Sequence, residues 1–322
     1  GLNMAFTEKH SIWAVQFDKA SDVILGAITR SSFSVGAMIR SEPTSGEAYA
    51  RHQAVVGRRP MASFTTLDIA TALTEISALG LYVISTGTVV ALDLYLVPHA
   101  VGGTRQSGSI NRQYNIVRAF MVPKTLRVEF GGDAALDVDI IIMHDGSAND
   151  AVVISDTVAL PSGIADAIRY TIGPVTLASV VYTQVRSLEL DFGLNVVTEG
   201  ADSDIYPVFV SIQDIRPRLT LRGLDAKWLS KTATPPKVPF TGLATPAHAN
   251  TKFFLRKRTQ DGASYVLDAT AEHIKFTMAG FLTVTQGFDG GSGGGVETTA
   301  VLEGKYDGSN NPVVVTTAIA IT

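Results

Sequence analysis

Two long alternations of apolar and polar residues dominate the chain between Val180 and Leu221. In the first, Arg186, Leu188, Leu190, Phe192 and Leu194 fall on one side, and Val185, Ser187, Glu189, Asp191 and Gly193 on the other. A period of two marks a strand with one buried face. The second alternation runs from Tyr206 to Leu221; Pro207 opens it and Pro217 interrupts it. Proline is tolerated at a strand start, an edge or a bulge, so this strand is expected to bend or change partner near Pro217. A polar turn, Thr198 to Asp204, separates the two. The pattern predicts an antiparallel hairpin with Leu188, Leu190, Phe192 and Leu194 toward a core and Glu189 and Asp191 on a wet face.

Shorter alternations predict strands over Ile12–Phe17, Asp22–Thr29, Ser34–Arg40, Asn111–Phe120, Lys124–Phe130, Ala135–Met143, Val152–Ile154 and Ile168–Ile172. A further set follows over Lys252–Arg258, Tyr265–Asp268, Ile274–Met278, Phe281–Gln286, Val296–Leu302 and Val313–Ile321. The apolar window Gly80–Val97 reads as two strands around Thr86-Gly87. Tyr49–Gln53 and Gly57–Pro60 read as a long polar loop. One helix is expected over Phe64–Gly80, capped by Thr65 with Asp68 three residues on. Its apolar face is Ile69, Ala72, Leu73, Ile76 and Leu79. Gly223–Ser230 could supply two more helical turns. Pro235, Pro236, Pro239 and Pro246 rule out a regular element over Lys231–Thr251, which reads as a linker or an extended arm. Within that arm Val238, Pro239 and Phe240 need apolar cover from a neighbour. No repeat of 20–50 residues is found, and no internal duplication is evident. One mainly β domain over residues 1–322 is therefore expected, with a two-lobe split near residue 160 as the alternative.

The composition points to self-association. Hydrophobic residues make up 46% of the 322, but charged residues only 17%, against roughly 25% in soluble domains. Apolar surface with so little charge is buried inside or against copies of the chain. The net charge of −4 argues against a nucleic-acid-binding face, which would be basic. There is no cysteine, hence no disulfide, thiolate or cysteine metal chemistry. Residues 1–15 lack a basic segment followed by an apolar core, so no leader is expected. The window Gly80–Val97 is too interrupted for a membrane helix.

Motifs that carry chemistry have plainer readings here. Gly287–Gly295 is glycine-rich, but a phosphate loop needs Lys and Ser/Thr opening a helix, and Val296–Thr299 opens a strand. It is read as a hairpin tip. Asp137, Asp139, His144, Asp145, Asn149 and Asp150 crowd one stretch without EF-hand spacing; they and the acidic loop Glu199–Asp204 are read as solvated. The six histidines are scattered. Lys252, Arg256, Lys257 and Arg258 are read as a solvated face balanced by Asp261. No cofactor, no metal and no enzymatic activity are expected.

The stretch Ser187–Ile212, SLELDFGLNVVTEGADSDIYPVFVSI, resembles tail tube proteins of bacteriophages and prophages. In that family a strand ending D-F-G-apolar-N leads through an acidic loop to a D-apolar-aromatic-P strand. Gly102–Ser109 (GGTRQSGS), Val122–Leu126 (VPKTL) and His144–Asp150 (HDGSAND) are similar to the same group, so the resemblance covers about Gly102 to Leu221. It implies an antiparallel β-sandwich or barrel-like subunit with one or two flanking helices and long loops. Such subunits form rings, commonly hexameric, that stack into a virion tail tube, contact other tail proteins and let DNA pass. On that reading Glu189 and Asp191 line the lumen. Glu199, Asp202, Asp204 and Tyr206 form a ring-contact loop, and Val238, Pro239 and Phe240 belong to an inter-subunit arm. Alternatives are a tail terminator, a hub or a capsid decoration protein, then a carbohydrate-binding or a calcium-binding β protein.

Overall fold

A computed structural model of the chain describes residues 9–18, 22–43, 46, 48–78, 90–99, 103–106, 108–146, 150–163, 168–177, 180–201, 204–225, 247–259, 264–292, 295–306, 308 and 311–322. Of the described residues 66% are strand, and they include one short helix. Sixteen strands join one antiparallel sheet, and four more form two separate two-stranded sheets. The mainly β expectation holds. The strand path stays open, and no barrel closes.

The chain begins with β1 (Lys9–Asp18), β2 (Val23–Leu25), β3 (Ile28–Ser34), β4 (Ala37–Pro43), β5 (Ala50–Arg58) and β6 (Met61–Thr66). The helix α1 (Ile69–Ala78) follows, then β7 (Val90–His99), β8 (Asn111–Glu129), β9 (Ala135–Met143) and β10 (Val152–Val158). Their spatial order is β2-β1-β7-β8-β9-β6-β3, with β10 also on β8 and β4–β5 standing apart as a ribbon. Next come β11 (Tyr170–Leu177), β12 (Val180–Tyr182), β13 (Val185–Asp191), β14 (Leu194–Glu199) and β15 (Phe209–Ile215). The last five are β16 (Arg218–Gly223), β17 (Ala247–Lys257), β18 (His273–Asp289), β19 (Glu297–Gly304) and β20 (Val313–Ile319). Their order is β12-β11-β17-β18-β19-β16-β13, with β20 also on β18 and β14–β15 apart as a ribbon. The second set repeats the first strand for strand. Among the described residues a single ladder, β8 with β13, joins the two halves.

Small irregularities repeat as well. Ala27 and Gln184, each just before the corresponding strand, have positive φ of 53° and 58°. Their carbonyls accept N–H groups from Leu67 and Leu224, both at 3.1 Å. Gly36 and Gly193 have φ of 59° and 60°, and their carbonyls accept the N–H of Arg59 and Arg216, both at 2.9 Å. Each arginine precedes a proline, Pro60 or Pro217. This device ends a main-sheet pair and starts a ribbon, because proline cannot donate to the ladder. The spacing Gly36, Arg59-Pro60, Leu67-Asp68 is the same as Gly193, Arg216-Pro217, Leu224-Asp225. Asp145-Gly146-Ser147-x-Asn149-x-x-Val152-Val153 likewise returns as Asp307-Gly308-Ser309-x-Asn311-x-x-Val314-Val315. The first set of strands ends at Val158 and the second begins at Tyr170. The repeat is far longer than the 20–50 residues tested in the sequence.

Other expectations change with the pairing. The helix starts at Ile69, because Phe64–Thr66 belong to β6, paired on both sides by β3 and β9. Asp68, not Thr65, caps it: its Oδ1 accepts the Thr71 N–H at 3.3 Å. Thr65 instead donates to Asp137 across the ladder at 2.6 Å. Ile69, Ala72, Leu73 and Ile76 are buried as expected; Leu79 lies outside the described residues. The stretch read as a polar loop is β5, paired along β4. The two strands expected around Pro123 are one, β8. Pro123 falls at a register shift against β9 and between the reaches of β7 and β13 on the other edge, where the ladder is interrupted anyway. Ile274–Met278 and Phe281–Gln286 likewise merge into β18. The expected strand over Tyr265–Asp268 reduces to a single bridge, Arg258 with Tyr265. Of the second helix, Gly223 closes β16, and 226–230 lie outside the described residues.

Several polar groups are buried among the described residues, and Asp93 is one of them. Asp93 on β7 is 5% exposed and accepts hydrogen bonds from Asn115 at 2.7 Å and Tyr95 at 3.4 Å. Burial raises its pKa, and the hydrogen bonds only partly offset this. A carboxyl whose folded pKa is raised destabilises the fold as pH rises through that folded value, and costs nothing below its ordinary value. Asp93→Asn keeps the Asn115 bond without the charge. Its thermal midpoint is expected above wild type at about pH 7, with the gap closing as pH falls into the ordinary carboxylate range. A variant less stable than wild type by the same amount at every pH would show that the carboxylate is fully compensated.

Candidate assembly surfaces

The hairpin foreseen between Val180 and Leu221 exists, in two sections. β13 pairs with β16 in the main sheet; beyond Gly193 and Pro217 the same two chain segments continue as β14–β15. The partner change near Pro217 is as expected. Leu188, Leu190 and Phe192 are buried, and Leu194 packs partly on the core. Glu189 and Asp191 are exposed on the opposite face. Their ladder neighbours alter the expected acidic character: Glu189 sits opposite Arg127 on β8, and Asp191 opposite Arg218 on β16. Arg127 also pairs with Asp137, and Arg218 with Glu303 at 3.1 Å. This face is therefore a mosaic of both signs.

Tyr206 is the anchor of the loop between the ribbon strands β14 and β15. Its hydroxyl donates to Asp150 at 3.1 Å and accepts from Arg58 at 2.9 Å. Its ring stacks on His144 with centroids 5.5 Å apart. The Arg58 N–H binds the Ile205 carbonyl at 2.6 Å, and the His144 N–H binds the Pro207 carbonyl at 2.9 Å. All these partners belong to the first lobe, so the loop is a fastener between lobes. A cleft of about 190 Å3 remains between it and the base of β4–β5. Glu199 and Asp204 are exposed on its rim; Asp204 accepts the Ala201 N–H at 2.7 Å. Asp202 and the arm residues Val238, Pro239 and Phe240 lie outside the described residues.

The strand expected over Ser34–Arg40 overlaps β4, but sequence reasoning missed its partner β5 and the surface the two make as a ribbon. Every residue of β4 is exposed. Ile39 is 68% exposed, Val55 47% and Tyr49 82%. The signal was present: Met38-Ile39 and Val55-Val56 flank the turn cluster symmetrically, and Ile39 faces Val55 across the ladder.

The remaining chemical candidates resolve into pairs. Asp137 is held by Thr65 and Arg127, Asp139 by Lys124 at 3.4 Å, and Asp150 by Tyr206. His144 accepts the Gly146 N–H at 3.0 Å; Asn149 lies outside the described residues. Among the described residues no group of three or more His, Cys, Asp or Glu is arranged to hold a metal ion. Arg256, Lys257 and Arg258 pair with Asp268, Glu272 and Asp133 at 2.9, 2.5 and 3.0 Å. Asp261, their expected balance, lies outside the described residues. Of the glycine-rich stretch, 287–289 close β18 and 290–292 and 295 lie between β18 and β19; 293–294 lie outside the described residues. No helix among the described residues is long and apolar enough to cross a membrane.

No protein-family model matches the chain, and no curated protein matches it.

Proposed function

We propose that this chain is a structural virion protein, a tail tube subunit whose sandwich-like lobes form rings that stack into a conduit for DNA. The observation that carries the reading is the β4–β5 ribbon. A two-stranded ribbon is marginal in water on its own, and this one holds Ile39, Val55 and Tyr49 out to solvent. Apolar surface of that kind marks a contact with another chain. The low charge content and the resemblance over Gly102–Leu221 support the same reading. Stacked rings meet through unlike faces, an open contact that grows filaments. The mixed-charge face of Glu189 and Asp191 is the proposed lumen wall, since a conduit must not bind phosphates as a basic groove does. Other tail proteins are the further partners, and the chain has no enzymatic role.

Negative-stain imaging of the concentrated protein tests this. Rings and stacked tubes are expected. Single rings that never stack would point to a terminator or hub. A monodisperse monomer at high concentration would overturn the assembly reading.

A further inference from the structure

The two lobes of one chain meet through a defined junction, and each lobe has unused halves of the same junction. β8 pairs with β7 as far as Ala119. Beyond that, its vacant edge is filled by β13 of the second lobe, from Thr125↔Asp191 to Glu129↔Ser187. The counterpart of β8 is β18. It pairs with β17 as far as Phe281, and among the described residues that edge has no partner from there to Asp289. The counterpart of β13 is β3, which among the described residues pairs with β6 alone. Among the described residues, one chain therefore ends in an unpaired β18 edge on one side and an unpaired β3 edge on the other.

Side chains report the same vacancy. The ladder pair Arg127↔Ala135 corresponds to Asp289↔Glu297, so Phe288 stands where Leu126 stands in the first lobe. Leu126 is fully buried, facing Leu190 across the junction, while Phe288 is 73% exposed. The ribbon pair Ile39↔Val55 corresponds to Val196↔Ile212. The latter two pack partly on the core; Ile39 and Val55 are exposed. Tyr49 corresponds to Tyr206, and Tyr306 to His144. Tyr206 and His144 stack across the junction, whereas Tyr49 is 82% and Tyr306 48% exposed. Each exposed residue corresponds to one that is covered at the junction inside the chain.

We infer that the occupant is a second copy of this chain: β3 of one copy pairs antiparallel with the vacant edge of β18 of the next, repeating the β13–β8 ladder between molecules. Phe33 then faces Phe288 as Leu190 faces Leu126, and Tyr49 stacks on Tyr306 as Tyr206 stacks on His144. Addition of a strand to an open edge satisfies its N–H and C=O groups, and the flanking apolar pairs fix the register. Repeating one lobe-to-lobe rotation closes a ring with an even number of lobes. The inference rests on the ring reading above, and it assigns three chains, not six, to a six-lobed ring.

The chain has no cysteine, so engineered thiols report a single contact. Ser32 and Asp289 correspond to Glu189 and Arg127, which are ladder partners. The double variant Ser32→Cys/Asp289→Cys, oxidised after assembly, is expected to yield covalent closed trimers. Arg127→Cys/Glu189→Cys is the internal control and is expected to oxidise within one chain. Imaging and native mass of the unmodified ring are expected to give six lobes and three chains. Rings containing six chains, or rings that form without the 32–289 cross-link, would overturn the inference and leave the tail tube reading standing. A wild-type protein that stays monomeric throughout would sink both.

Discussion

Phe276→Ala is expected to remove about 3–5 kcal/mol of stability, the usual cost of emptying a large aromatic site in a core. Phe276 lies on β18 and is fully buried. Directly across the ladder is Phe253 of β17, also fully buried, with ring centroids 4.5 Å apart and planes 4° from parallel. On its other side is Val315 of β20. Three strands close on this side chain, so its removal leaves a void that backbone shifts cannot fill without breaking ladders. A domain typically has about 5–15 kcal/mol in all, so the variant is expected to be marginal. Urea unfolding would show a lower midpoint with an unchanged slope. Phe276→Leu keeps much of the volume and is expected to lose distinctly less. A loss below about 1 kcal/mol for the alanine variant would mean that the second lobe is not packed around this pair.

Strands with one buried face were legible because burial imposes a period of two. Leu188, Leu190 and Phe192 on β13, and Leu136, Val138 and Ile140 on β9, are buried as the pattern requires. The β4–β5 ribbon was legible only in part, as the strand expected over Ser34–Arg40. Both its faces are exposed in the single chain, so nothing enforces alternation, and the arginines of β5 read as a loop. The helix start was misplaced for the opposite reason. Ala62, Phe64 and Thr66 are buried at a strand period, and this runs directly into the helical stripe of Ile69, Ala72 and Ile76. Only the pairing of β6 with β3 and β9 divides the two.

The duplication was written in the sequence but diluted. The residues shared between the lobes are those that backbone geometry demands, namely the glycine and Arg-Pro of the ribbon hinge and the Asp-Gly turn after β9 and β19. Buried positions change identity, as with Ile140 of β9 and Leu302 of β19. A search for apolar periodicity does not see such a repeat, and strand order shows it at once. The proposed lumen residues illustrate a different limit. The exposure of Glu189 and Asp191 was predictable from the alternation. The arginines beside them were not, because cross-strand neighbours depend on a register that no single strand encodes.

Gly193→Ala is the second large effect. Gly193 has φ of 60°, where a residue with a side chain costs roughly 1–2 kcal/mol. An added Cβ would also lie 1.9 Å from the Arg216 carbonyl oxygen and 2.9 Å from the Pro217 nitrogen. Arg216 cannot move away freely, because its N–H is bonded to the Gly193 carbonyl and Pro217 accepts from Gly304 at 2.7 Å. The combined strain is expected to cost about 3 kcal/mol. Its site matters more than its size, since the hinge aims β14–β15 at the first lobe. Misdirecting the ribbon should draw Tyr206 away from His144, Arg58 and Asp150, and expose residues 194–215 to protease before the chain unfolds globally. Gly36→Ala meets the same clash, with a Cβ 2.0 Å from the Arg59 carbonyl oxygen, but the ribbon it opens is exposed along all of β4. It should therefore cost less global stability and, with the ribbon serving the neighbouring copy, weaken ring formation more. Equal losses of stability in both variants, with ring formation untouched, would separate the hinge from assembly and leave it a purely local bend.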